Sequence, residues 1–503
     1  MSRLHSLDYK WLVAAVFVSG LFMDLLDTTI VNVALPTLGK EFNAANTTLE
    51  WVVTGYLLSL AVWIPASGWL GDRFGTKKIF LLALFLFTLG SALCGEAWSI
   101  GSLIAFRVLQ GVGGGMLTPV GTAMLFRAFP ANERAQASSV LAIPVAIAPT
   151  IGPILGGILV DQASWRWIFR VNIPIGIFGF FFALKVLKEH TEPDVGRFDL
   201  PGFLLAGSSL PLVLYALSQA PEHGWTATSV LVTGLGGIAL MALMVVVELR
   251  VEQPMLALRL FRDRMFRSAN TVYFATAAGL VGVIFLLPLF LQQLRDLSAT
   301  QSGLTTFPQA LGIIAISRFA SRSYPTYGPR RMLMVGMAGM AISTALFLFV
   351  GLETSQWWIR GIMFLRGIFF GLTLIPLQAA TFSTITPRDQ GRASSLFSTN
   401  RQVASSFGVA ILATVLTDRT KHHVESAMAQ AHVANPFQLP SAVLDQATLH
   451  GYHDAYFAGV VFALIGLAAT FLIHDEDAAA SMAQAEAKAR RRDEAGEQAA
   501  VAR

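Results

Sequence analysis

The chain has 503 residues, of which 54% are hydrophobic and only 13% charged, with 36 Phe and a formal net charge of +5. Soluble domains carry about 25% charged side chains, so the composition excludes an ordinary soluble fold and points to an all-α integral membrane protein. The single cysteine, Cys94, excludes an intramolecular disulfide and reads as a small core residue.

Fourteen mostly apolar segments have a length suited to crossing a bilayer as helices. They run over 11–36, 48–70, 79–97, 101–126, 136–160, 167–187, 199–218, 227–248, 268–293, 302–319, 332–352, 359–384, 395–417 and 455–473. The first run holds two Asp and lacks a small-residue cleavage site, so it reads as a retained span and not a signal peptide. With both termini in the cytoplasm, 26 Lys/Arg fall inside and seven outside (Lys40, Arg166, Arg170, Arg295, Arg360, Arg419 and Lys421). That asymmetry gives the expected orientation in the plasma (inner) membrane. The positive balance then reflects topology, and no nucleic-acid partner is expected.

In span 1, "FMDLLDTTIVN" (22–32) sets Asp24 and Asp27 in an apolar run. A charged Asp at the bilayer centre costs about 2.5–3.5 kcal/mol, and such residues usually face a polar cavity. Three residues apart, the two occupy neighbouring positions on one helical face. Burial and a nearby cation act in opposite senses on a carboxyl's charge, and interacting carboxylates titrate as a pair. Asp24 could bind a cationic substrate, assist protonation or serve as a polar neighbour.

Between spans 2 and 3, "GWLGDRFGTKK" (68–78) opens on Gly68. Gly71 and Gly75 permit a tight reversal, Asp72 suits a helix N-terminus, and Arg73, Lys77 and Lys78 hold the loop inside. In span 4, "FRVLQGVGGGM" (106–116) buries Arg107, with Gln110 one turn later. A buried Arg needs a counter-charge or several acceptors. The glycines lie within a spanning helix with no strand before them, which argues against a phosphate loop.

In span 5, "PVAIAPTIGPILGG" (144–157) repeats small residues every four positions at Ala148, Gly152 and Gly156. That spacing lets another helix approach closely, while Pro144, Pro149 and Pro153 tend to bend the helix.

Spans 7 and 8 are poor in charge and are expected to pack peripherally. "LLPLFLQQL" (286–294) and "SSLFSTNRQVASSFGVAI" (394–411) place Gln292, Gln293, Asn400 and Arg401 near or within spans. With Asp24, Asn32 and Gln110 they are the candidates for lining a substrate cavity. Residues 418–454 form the longest external loop and carry His422, His423, His432, His450 and His453. A metal site there is open, with a solvated loop or an accessory-protein contact the simpler reading. After Asp475 the charged, Ala-rich tail is expected to be a frayed helix or disordered.

"RVLQGVGGGMLTPVGTAMLFRAFPANERAQASS" (107–139) is loosely echoed by "RGIFFGLTLIPLQAATFSTITPRDQGRASS" (366–395). The echo gives four segments: a six-helix half (1–190), two inserted helices with a cytoplasmic linker (191–266), a second six-helix half (267–474) and a tail (475–503). Repeated halves with a site between them suit alternating access. In the second half, "SRFASRSYPTYGPRR" (317–331) keeps the basic residues and Gly328 but has no counterpart of Asp72.

Together these stretches resemble the major facilitator superfamily, in its fourteen-helix drug:proton antiporter group of EmrB/QacA type, over nearly all of spans 1 to 13. "LDTTIVNVALP" (26–36) is similar to that group's first-helix signature. The resemblance implies proton coupling through Asp27, Asp24 and Arg107, with Asp27 as the counter-charge to Arg107 because spans 1 and 4 line the cavity in that fold. It also implies a cytoplasmic latch at Gly68, Gly71, Asp72, Arg73, Gly75, Lys77 and Lys78. The span 5 stretch, with Pro149, Gly152, Pro153, Gly156 and Gly157, resembles the antiporter motif associated with exporters. The expected activity is export of lipophilic, cationic drugs or toxic compounds, driven by the proton gradient with no cofactor. A dedicated exporter of a metabolite or lipid would share these motifs. A membrane enzyme or sensor is a remote alternative, because no HExxH, nucleophile elbow or soluble sensory domain is present. A periplasmic adaptor is a possible further partner.

Overall fold

Inside a bilayer each backbone N–H and C=O must be satisfied within the protein, and a helix does this segment by segment. The computed structural model describes residues 8–193, 195–433, 435–479 and 481–482. The helices are α1 (Tyr9–Phe42), α2 (Asn46–Phe74), α3 (Thr76–Gly95), α4 (Ile100–Ala128), α5 (Arg134–Gln162), α6 (Trp167–Arg170), α7 (Asn172–Val186), α8 (Leu200–His223), α9 (Thr228–Arg250), α10 (Arg264–Leu289), α11 (Ala299–Thr306), α12 (Pro308–Ala345), α13 (Gln356–Thr381), α14 (Gln390–Ala431) and α15 (Ser441–Ala469). Helix lies on each of the fourteen apolar segments. Among the described residues, eleven helical stretches are long and apolar enough to cross a membrane by length and composition. One of these, Ala299–Phe349, is 51 residues long and breaks at Gly328, whose φ of 74° only glycine adopts easily.

Helix α1 packs against α4, α5 and α7, and α10 packs against α14 and α15. Close approach between α1 and α5 runs through the small-residue stripe. A Cβ on Gly152 would lie 2.1 Å from Thr29 Oγ1, and one on Gly156 would lie 3.0 Å from Ile30 Cγ1. Two of the three prolines of α5 face the other way: Pro149 and Pro153 line a small cavity with Ile284, Gly303 and Gln309 of the second half.

Three expectations change. Helix α8 is not peripheral, because it packs on both α2 and α14 and so spans the seam between the halves. Trp51 stacks on Tyr215 at 5.8 Å, Trp63 meets Phe203 at 5.7 Å, and Trp225 Nε1 donates to Thr414 Oγ1 at 3.0 Å. Aromatic pairs and an indole hydrogen bond fix what the absence of charge left unspecified.

The stretch 418–454 is mainly helical, as α14 continues to Ala431 and α15 begins at Ser441. Residues 418–431, "DRTKHHVESAMAQA", contain few helix breakers, so the helix propagates past the apolar segment.

The start of the tail is docked. Arg330 N–H donates to Asp475 Oδ1 at 2.9 Å, and Tyr324 and Ser481 hydroxyls are 3.1 Å apart. Residues 483–503, and with them most of the expected frayed tail, lie outside the described residues.

Candidate functional site

The two carboxylates of α1 sit in separate polar nests. Asp27 is fully buried, as is Arg107 at 1% exposure. Arg107 Nη1 donates to Asp27 Oδ2 at 2.5 Å, while Gln110 Nε2 and Asn172 Nδ2 both donate to Oδ1 at 2.9 Å. Ser91 Oγ accepts from the same two amides, at 2.6 and 3.1 Å. Arg107 Nε donates to Val52 O at 3.0 Å, and Nη1 also reaches Gln110 Oε1 at 2.7 Å. A desolvated ion pair persists only with such further hydrogen bonds. The Asp27 nest draws on α1, α3, α4 and α7, all from the first half.

Asp24 turns toward α2 and α4. Tyr56 donates its phenol proton to Oδ1 at 2.5 Å, and Thr118 Oγ1 donates to Oδ2 at 3.1 Å. Room for this depends on Gly114, where a Cβ would lie 2.7 Å from the Tyr56 hydroxyl and 3.1 Å from Asp24 Oδ1. Arg401 of α14 acts on Asp24 by charge from across the halves.

The other cavity candidates scatter. Gln110 is wholly buried within the first half and serves Asp27, so it does not line an open cavity. Asn32 is exposed on α1, with a 3.5 Å bond to Thr28 O. Gln292 and Gln293 are exposed in a π-helical turn after α10, where Gln293 Oε1 accepts from Tyr452 at 3.3 Å. Asn400 Nδ2 donates to Asn270 O at 3.1 Å, and Arg401 is half-buried. Arg366, the second-half echo of Arg107, donates to Gln309 Oε1 at 2.9 Å and Gly279 O at 2.7 Å. Among the described residues no group of three or more His, Cys, Asp or Glu is placed to hold a metal ion.

The 68–78 loop is tied to both halves. Asp72 accepts from Arg127 Nη2 at 3.4 Å, and its carboxylate rests on Gly391 in the first turn of α14, where a Cβ would meet it at 2.6 Å. The helix N-terminus that suits this acid thus belongs to the second half. Gly75 has φ 106°, and Lys77 N–H donates to Glu189 Oε1 at 3.0 Å. Gly68 and Gly71 are buried, Lys77 is half-buried, and Arg73 and Lys78 are exposed. The second-half loop has the same construction around Gly328, with the carboxylate supplied by Asp475 from beyond the last span. Asp475 is thus the counterpart of Glu189 and not of Asp72.

Sequence reading did not single out Tyr56, Thr118, Ser91 or Asn172. All four are ordinary polar residues of membrane helices, with no charge to draw notice.

Residues 17–409 match the family described as Major Facilitator Superfamily. The chain belongs to that superfamily. It is 36% identical over 414 residues to "Multidrug resistance protein B homolog" of Mycobacterium tuberculosis (strain ATCC 25618 / H37Rv), covering 81% of this chain and 76% of that one. To "Putative multidrug resistance protein MdtD" of Salmonella typhi it is 34% identical over 414 residues, covering 82% and 87%. The fold is similar to the crystal structure of the human organic anion transporter MFSD10 (TETRAN), with a TM-score of 0.64 and 16% identity over 92% of this chain and 99% of that one. The proton:xylose symporter XylE gives a TM-score of 0.58 at 15% identity, over 91% and 94%. This superfamily member is a multi-pass membrane transporter of small molecules and not an enzyme.

Proposed function

We propose that this transporter is a fourteen-span proton-coupled antiporter of EmrB/QacA type that exports lipophilic, cationic drugs or toxic compounds from the cytoplasm or inner leaflet. The observation that carries the reading is a pair of buried carboxylates on α1, one ion-paired with Arg107 and the other held by neutral hydroxyls. The names of the relatives support drug export, and the span 5 motif supports the outward direction.

In the proposed cycle, substrate reaches Asp24 in the inward-facing state and the halves rock. Protonation at Asp27 from outside then weakens its hold on Arg107, substrate leaves, and the empty carrier returns with the proton. A membrane potential of 100 mV supplies about 2.3 kcal/mol per charge moved, enough for roughly a 50-fold substrate gradient at about 1.4 kcal/mol per tenfold. No cofactor is needed. The termini face the cytoplasm of the inner membrane, and 68–78 acts as the latch on that side.

The test is ethidium uptake into everted vesicles under an imposed pH gradient, comparing wild type with Asp27→Asn and Asp24→Asn. Gradient-driven uptake that disappears in Asp27→Asn is the expected result. Full uphill transport by Asp27→Asn would remove that carboxylate from the coupling role.

A further inference from the structure

Tyr56 touches both carboxylate nests at once. Its hydroxyl donates to Asp24 Oδ1 at 2.5 Å, and the Arg107 guanidinium carbon lies 4.2 Å from its ring centroid. The side chain is fully buried. One turn earlier on the same helix, Val52 O accepts from Arg107 Nε at 3.0 Å. Thus α2 grips Arg107 at two points, a carbonyl and a ring face, while one of those grips also holds Asp24.

The direct route between the acids is weak by comparison. Asp27 is neutralised at contact distance by Arg107, so Asp24 faces a nearly neutral pair and not a bare charge. A cation over a desolvated tyrosine ring is worth about 2 kcal/mol, and an O–H bond to a carboxylate is among the stronger hydrogen bonds. The charge on Asp24 sets the strength of the second of these, and the hydroxyl that makes it belongs to the same ring that makes the first.

We propose that Tyr56 is the positioning residue that couples Asp24 to the Asp27/Arg107 pair, so that occupation or protonation of one carboxyl resets the other. This rests on the reading of the chain as a proton-coupled exporter and gives it a physical link between substrate and proton. The groups facing this chain of contacts are Tyr56 and Thr118 toward Asp24, with Arg401 acting by charge from α14. Arg107, Gln110, Asn172 and Ser91 face Asp27, and Cys94 lies behind Gln110, its sulfur 3.9 Å from Oε1. Tyr273 of α10 also feels Arg401.

The experiment is an infrared titration of carboxyl groups in purified protein in lipid, with bands assigned by their loss in Asp24→Asn and Asp27→Asn. The coupling is the shift in the Asp27 midpoint produced by Asp24→Asn. In wild type this shift is expected to be on the order of one pH unit, the size at which titrating sites count as interacting. In the Tyr56→Phe background, which keeps the ring over Arg107 but loses the hydroxyl, it falls to less than about half, and Tyr56→Leu lowers it further. Equal shifts with and without the hydroxyl overturn the proposal, as does an Asp27 midpoint indifferent to Asp24→Asn in wild type. Thermal midpoints of Tyr56→Phe near that of wild type establish that the fold is kept. In vesicles, Tyr56→Phe is expected to exchange ethidium down its gradient while losing pH-driven accumulation. Wild-type vesicles that accumulate no dye would count against the export reading, and the titration alone then decides the link.

Discussion

Asp27 has both oxygens occupied by donors from other helices, so its nest is sensitive to removal of the single cation. Arg107→Ala leaves a buried carboxylate without its counter-charge, a change that costs about 3–5 kcal/mol. The expected outcome is a lowered thermal midpoint in purified protein together with lost transport. Arg107→Lys keeps the charge but gives up the planar fork that serves Asp27, Gln110 and Val52 O together, so it is expected to restore stability in part and transport poorly. Gly114→Ala is a finer probe, because its Cβ intrudes on the Tyr56 hydroxyl and Asp24. Overpacking of this kind costs about 1–3 kcal/mol, and the smaller thermal shift is expected to come with a change in the pH profile of efflux. The Asp27–Arg107 partnership was legible because a buried Arg demands a counter-charge and the family resemblance sets spans 1 and 4 side by side; charge alone does not choose Asp27 over Asp24. Tyr56 and Ser91 were not, since neutral hydroxyls bond locally in any membrane helix and only the packing of α2 and α3 against α4 gives them a role.

At the scale of elements, the two loops after α2 and within α12 share one design. Each turns on a glycine with positive φ, and each has the N–H two residues later held by a carboxylate from the segment that follows its half's last helix. Sequence pattern alone missed both carboxylates, because Glu189 is 112 residues from Lys77 and Asp475 is 145 from Arg330, and no local spacing links either pair. Asp475→Ala removes a half-buried, charge-assisted hydrogen bond at the start of the helical stretch after Gly328. A loss of about 1.5 kcal/mol is expected, read as a lower thermal midpoint, with Asp475→Glu closer to wild type. If Asp475→Ala melts like wild type, the contact does not hold α12 at its break. The periodic stripe of α5 was legible for the opposite reason: Gly152 and Gly156 mark a helix contact by spacing alone, and α1 fills it. The reach of α8 across α2 and α14 could not be read, because its anchoring depends on Trp51, Trp63 and Thr414 from both halves.

Across the whole molecule, the halves meet at the end that carries the 68–78 loop. Phe126 stacks on Phe382 with centroids 4.5 Å apart, Arg134 Nη2 donates to Ile385 O at 3.1 Å, and Ser395 Oγ donates to Ile64 O at 2.6 Å. The backbones of α2 and α14 approach closely enough that a Cβ on Gly68 would lie 2.6 Å from Gly391 O. Because the obstacle is a carbonyl and not a side chain, no rotamer relieves it. Gly68→Val is therefore expected to keep this end from closing while leaving each half folded. The readout is a Phe126→Cys/Phe382→Cys pair treated with a short thiol crosslinker, with the lone native Cys94 buried and out of reach. Crosslinking is expected to be efficient in the otherwise wild-type chain and to arrest transport by fixing one end shut. Adding Gly68→Val should lower the yield severalfold and also arrest transport, by the opposite route of denying that state. An unchanged yield would mean that α2 and α14 do not need the glycine crossing to close, and that the aromatic stack and the Arg134 bond hold this end by themselves.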